Sequence, residues 1–309
     1  MVRVGRAAAS IRPLLNTLSQ GVLTGARLGT GSIGDDVTIG WLGAKRDRGE
    51  PAFPAQCWTV GTLGPGSAGA TTVAVAVATH VRGVLLEADS DGGVLASRYS
   101  GWMDEQAPML AELLAALPTY GGLAEVMQQL QQLPGGARVA LIPPDAEGAV
   151  DGVRRLAEDL EHLRHRLSGE TLVVDVGRVR PDGASLMLAE QSDALIAVVR
   201  PEMESLRCLM ARLPAVQEQV PRLLVAVRGE GPYDLADIRA AVARRAGVQI
   251  AVVGVPNDPG GVGAWQRGRN AKWSLSGRSS GSLSHSARVL VSLLNGPAPA
   301  EEWSPHRYP

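Results

Sequence analysis

Between residues 64 and 72 the chain reads Gly-Pro-Gly-Ser-Ala-Gly-Ala-Thr-Thr, three glycines followed by two adjacent hydroxyls. Glycines let consecutive backbone N–H groups converge on an anion, and a helix opening at such a point adds its dipole. A threonine hydroxyl one residue into that helix can reach a metal ion held beside phosphate. Read against G-x-x-x-x-G-K-[ST], the segment supplies Gly64, Gly69 and Thr71, while Ala70 stands in the lysine position. Two other segments carry acids that could complete such a site. Glu87-Ala-Asp89-Ser-Asp91-Gly92-Gly93 follows one apolar run, and Asp175-Val-Gly177 closes another. Carboxylates at these places can orient water or hold a magnesium ion.

The elements that must position them alternate in type. Cys57–Leu63 reads as a strand, Thr71–His80 as the helix after the glycine loop, and Val84–Ala88 as a second strand. Helical patterns follow at 105–117 and 122–133, a strand at Val139–Ile142, a long amphipathic helix at 146–167 and a strand at Thr171–Val176. Leu195–Val199, Leu223–Val227 and Ile250–Val253 read as further strands separated by helical patterns, and a last helix spans 285–295. Continuous Val/Ile/Leu strands alternating with helices predict an α/β fold, a mostly parallel sheet with helices on both faces. In such sheets ligands bind outside the carboxyl ends of the strands, where all three polar segments fall.

The 309 residues carry 30 basic and 31 acidic side chains, so no global charge directs the chain to nucleic acid or an anionic surface. Lys45 and Lys272 are its only lysines. Cys57 and Cys208 fit neither a disulfide framework nor a metal site and are expected to pack in apolar surroundings. With no transmembrane run or secretory signal, a cytoplasmic protein is expected. Residues 1–55 form a basic leader with four arginines and no acid before Asp35, and residues 26–55 read as a linker. Ile11, Leu14, Leu15, Leu18 and Val22 recur at helical spacing. Three readings stay open for that short helix: packing on the domain or a partner, a leader without fixed structure, or a membrane-surface anchor, the one route to membrane contact. The α/β domain is expected over 56–295, with a flexible loop at 274–284 and a disordered tail at 296–309.

WTVGTLGPGSAGATTVAVAVA, then VLLEADSDGG, then TLVVDVGRV resemble the ParA/MinD superfamily of deviant Walker ATPases. The family's pattern is K-G-G-x-G-K-T-T, then D-x-D-P-Q-G, then a strand ending in D-x-[PG]. SDALIAVVRPEMESLRCL and AVVGVPNDPGGVGAW resemble its later segments, and the likeness spans about residues 56–295. The branch it resembles most is the CpaE/TadZ type, with related actinobacterial septum-site proteins. The resemblance implies a P-loop NTPase fold of the SIMIBI type, ATP or ADP with Mg²⁺ as cofactors, protein partners and a homodimer. Residue by residue it implies nucleotide binding by Gly64, Gly66, Ser67, Gly69, Ala70, Thr71, Thr72, Pro256 and Asn257, with Asp258 beside them. It implies magnesium contacts from Thr71 and Asp175, water positioning by Asp89, and for Glu87 the place of the first acid of D-x-D.

Two departures matter. Pro65 stands where the family has its signature lysine and Ala70 where it has the ordinary phosphate lysine. The family's adenine-contacting asparagine is absent too, since that strand ends in Val227-Arg228. Phosphoryl transfer depends on positioning and charge stabilisation, so weak or absent ATP hydrolysis is expected. Three readings follow: a positioning or assembly factor with a degenerate loop, an active ATPase borrowing Arg178, Arg267 or Arg269, and an interaction scaffold that binds no nucleotide. His162 and His165 read as part of a charged helix face, and the scattered tryptophans as packing residues, with Trp303 free to anchor a partner motif.

Overall fold

The computed structural model describes residues 54–64, 68–99, 104, 106–119, 121–266 and 283–296. The expectations for the leader 1–53, for Pro65, Gly66 and Ser67, for Arg267 and Arg269, for the loop 274–282 and for the tail 297–309 lie outside them. Both lysines and Trp41, Trp102, Trp273 and Trp303 do as well.

Eight strands form one sheet among the described residues: β1 (Gln56–Thr62), β2 (Val84–Glu87), β3 (Gln131–Gln132), β4 (Arg138–Ala140), β5 (Thr171–Arg178), β6 (Ala194–Val199), β7 (Leu223–Arg228) and β8 (Ala251–Val255). Their order is β3-β4-β2-β5-β1-β6-β7-β8, parallel except for the antiparallel edge strand β3. The central strands are largely apolar, as a sheet covered on both faces requires; every residue of β6 is apolar and buried.

Two apolar layers cover it. One face carries α1 (Ala70–Val81) and α10 (Leu283–Asn295), with Trp58, Val60 and Leu85 beneath them. The other carries α3 (Leu110–Ala115), α4 (Gly122–Gln129), α5 (Ala146–Arg166), α6 (Ala184–Glu190), α7 (Met203–Gln219) and α8 (Leu235–Ala246). Short α2 (Leu95–Arg98) follows β2, and α9 (Pro259–Gln266) follows β8.

Helix α1 is built of small residues because both of its sides are covered. Its Ala and Val side chains are buried from Ala70 to Ala78, between the sheet and α10. Helix α5 shows the ordinary one-faced pattern instead. Ala149, Val153, Leu156, Leu160 and Leu163 are buried, and the Asp145 carboxylate caps the first turn by accepting from Gly148 N at 2.8 Å. His162 and His165 lie on its exposed side, and no group of metal-ligating residues forms among the described residues.

Several expected boundaries shift. The helix expected over 122–133 ends at Gln129, because Gln131 and Gln132 pair with β4 as an edge strand. Leu283 and Ser284, expected in the surface loop, start α10, where Leu283 is buried against the core. Ala55, expected in the linker, is buried, and its N–H donates to Arg164 O at 2.8 Å. Cys57 is buried as expected, whereas Cys208 is only half-buried on α7.

Strand β1 sits between β5 and β6. From β1 the chain builds β2, β4 and β5 on one side, then crosses to build β6, β7 and β8 on the other. The loop leaving β1 is therefore at the topological switch point, where open α/β sheets place their ligands.

Candidate functional site

The loop returns to the sheet as α1. Gly69 is its N-cap, in the left-handed region at φ 89°, and no side chain caps the helix. First-turn N–H groups have no intrahelical acceptor, and no acidic side chain of that turn offsets the dipole. The turn comprises buried Ala70, buried Thr71 and half-buried Thr72. At the start of the loop, Gly64 lies close to α7: a Cβ there would meet Cys208 Cβ at 3.4 Å. From α7, the Arg212 guanidinium donates to the carbonyls of Leu63 and Val179, each at 2.8 Å, and ties the ends of β1 and β5 together.

Asp175 is 1% exposed on β5, directly beside Glu87 of β2 in the register of the sheet. Its carboxylate lies beside the Thr71 hydroxyl and accepts, at 3.2 Å, from Gly177 N. Burial raises its pKa to about 7, with the nearby Glu87 and Asp89 carboxylates adding to the rise against the Thr71 hydroxyl and the Gly177 N–H. Asp89 completes the group. A Cβ on Gly177, whose φ is +56°, would fall on the Asp89 carboxylate, so glycine is needed there for space as well as for backbone conformation. Burial also pushes Asp89 up, while Arg180 and Arg178 pull it down, and Arg180 pairs with Asp91.

Glu87 does something the sequence did not disclose. Buried to 1%, it accepts from Val94 N at 2.6 Å and Leu95 N at 2.8 Å through one oxygen, and from Ile142 N at 3.4 Å through the other. It holds the start of α2 and the end of the β4 segment, which fixes the loop that carries Asp89. Burial raises its pKa against those three hydrogen bonds.

The structure thus brings Thr71, Asp89 and Asp175 together at one sheet edge, with Ala70 in the same helical turn as Thr71. Pro256 and Asn257 stand apart from that cluster, between β8 and α9, and connect to it through Arg228, whose Nη2 donates to Asn257 Oδ1 at 3.1 Å. In the sequence, Arg228 marks only a missing asparagine, because side-chain reach across the sheet has no signature there. Of the arginines expected to substitute for lysine, Arg178 is exposed near Asp89.

A hydroxyl and a buried carboxylate side by side offer oxygen donors of the kind magnesium takes. The uncapped turn beside it suits phosphate oxygens. On the α2 side, the gap bounded by Thr71, Thr72, Leu95, Arg98 and Tyr99 holds about 10 Å³, room for one water at most. A larger apolar groove of about 570 Å³ lies elsewhere, between α7 and α8, lined by Met203, Leu206, Met210, Tyr233 and Ile238.

No protein-family model matches the chain, and no curated protein matches it. Solved structures do. A ParA family ATPase from Chlorobium tepidum superposes with a TM-score of 0.61 at 17% identity, covering 78% of this chain and 99% of that one. The septum site-determining protein MinD from Pyrococcus horikoshii, in complex with Mg-ADP, gives 0.57 at 17% identity over 78% of this chain and 98% of that one. The MinC:MinD cell division complex of Aquifex aeolicus gives 0.56 at 16% identity, over 81% of this chain and all of that one (100%). The fold is therefore that of the ParA/MinD P-loop ATPases.

Proposed function

We propose that this chain is a ParA/MinD-like positioning or assembly factor whose phosphate loop binds nucleotide with Mg²⁺ but hydrolyses ATP weakly or not at all. The branch it resembles is the CpaE/TadZ and actinobacterial septum-site type, and it acts through protein partners. One observation carries the reading. The oxygen side of the site is in place, with Thr71 beside Asp175 and Asp89 against Gly177, while the positions of both lysines hold Ala70 and Pro65.

Thr71 and Asp175 would hold magnesium, which would offset phosphate charge when bound. The N–H groups of the first turn of α1 would take phosphate oxygens, and Asp89 would orient water. What this chain lacks is the pair of lysines that stabilises charge as the phosphoryl group transfers. Removing one preorganised donor of that kind typically costs about 3–4 kcal/mol in the transition state. Ground-state binding depends more on the backbone and the metal and survives better.

Calorimetric titration with ATP and ADP, with and without Mg²⁺, tests the binding half of this reading. Binding should require Mg²⁺, weaken at least tenfold in Thr71→Ala, and vanish in Gly69→Val, where a side chain would be strained at φ 89°. Thermal melts check that both variants fold. Absence of binding to the wild type would leave the scaffold reading in its place.

A further inference from the structure

The loop retains a cation, and it arrives from two strands away. Arg228 ends β7, which β6 separates from β1. Its side chain nevertheless crosses to the start of α1. A Cβ on Gly69 would lie 2.8 Å from Arg228 Nη1 and 2.9 Å from both Cδ and Cζ. The guanidinium therefore lies over the N-cap backbone that a phosphate would approach.

Its hydrogen bonding is largely unspent. Among the described residues its one partner is Asn257 Oδ1, and Nε is buried with no partner at all. The charges of described residues that act on it are of its own sign: after burial, Arg200 and Arg98 push its pKa down, and no carboxylate among the described residues opposes them. Arg200 itself pairs with Glu202 at 3.3 Å. A half-buried guanidinium facing two like charges, with donors in excess, is costly to hold unless an anion joins it. Its planar fork of donors matches phosphate oxygens and offers no acceptor to a base amino group.

We propose that Arg228 is the phosphate-contacting cation of this loop, supplying the ground-state contact of the absent lysines, but not their role in phosphoryl transfer, toward a nucleoside di- or triphosphate. This rests on the phosphate-site reading above. Asn257 then serves to orient the guanidinium. Because the contact is to phosphate, inorganic pyrophosphate shares it.

Mg-ADP and Mg-pyrophosphate are titrated separately into the full chain as wild type, Arg228→Ala, Arg228→Gln and Arg228→Lys, at two salt concentrations, with melts to confirm folding. The alanine and glutamine variants should bind both ligands at least tenfold more weakly and with a shallower salt dependence, and lysine should recover part of the loss. Equal affinity in wild type and Arg228→Ala would overturn this assignment while leaving the phosphate site standing. Tighter binding by Arg228→Ala would do the same and identify the side chain as an obstruction. If none of the four proteins binds either ligand, the assignment and the phosphate-site reading fall together.

Discussion

Glu87→Ala is expected to lower folding stability by about 2–4 kcal/mol, measured by urea unfolding. The carboxylate is buried and satisfies the N–H groups of Val94, Leu95 and Ile142. Each buried donor left without a partner costs about 1–3 kcal/mol, and relief from burying the carboxylate offsets part of the total. Glu87→Gln should fall in between, at about 1 kcal/mol. Its remaining carbonyl oxygen can serve Val94 and Leu95, which share one carboxylate oxygen, while its NH₂ would face the Ile142 donor. A loss below about 0.5 kcal/mol in the alanine variant would show that the carboxylate does not hold this loop. The consequence reaches beyond stability, because the same loop sets Asp89 against Gly177.

Asp175→Asn should do the opposite, stabilising the metal-free protein at pH 8. Burial raises the Asp175 carboxyl from its ordinary 3.8 to about 7. Between those values the folded state binds more protons than the unfolded state, so this residue makes stability fall as pH rises from about 4 to about 7, then level off. Three pH units at about 1.4 kcal/mol each set an upper bound of roughly 4 kcal/mol. Asparagine keeps an oxygen for Gly177 N or the Thr71 hydroxyl and has no charge to bury. In chelator-treated samples the wild type should be more stable at pH 5 than at pH 8, and the variant should lose most of that slope and exceed the wild type at pH 8. An unchanged slope would contradict the account. The raised pKa values of Glu87 and Asp89 act in the same direction. Carboxylates held at such a cost are characteristic of binding sites, where stability is surrendered for function.

The sequence showed those features whose signals are local. Continuous apolar runs marked the central strands, and their alternation with helices was enough for a parallel sheet. The glycine-to-threonine loop announced the start of α1, and polar strand ends identified Asp89 and Asp175 as residues sharing an edge. Features set by reach across the fold were not visible. Glu87 looked like a site acid because its position at the end of β2 says nothing of the three N–H groups that close around it. Arg228 looked like a loss of function because no periodicity records that a side chain on β7 lies over Gly69. Gln131 and Gln132 carry no strand propensity, and only the exposed edge of β4 makes them β3. Cys208 belongs to a helix whose apolar face is buried, yet it faces the approach of Gly64 and is only half-buried.

Phosphate release from ATP by the purified chain tests the central claim most directly, in wild type and Asp89→Ala with Mg²⁺ present. With both lysine positions filled by neutral residues, the wild type should release phosphate no faster than Asp89→Ala. Clear turnover by the wild type that Asp89→Ala abolishes would contradict the account and establish a working ATPase.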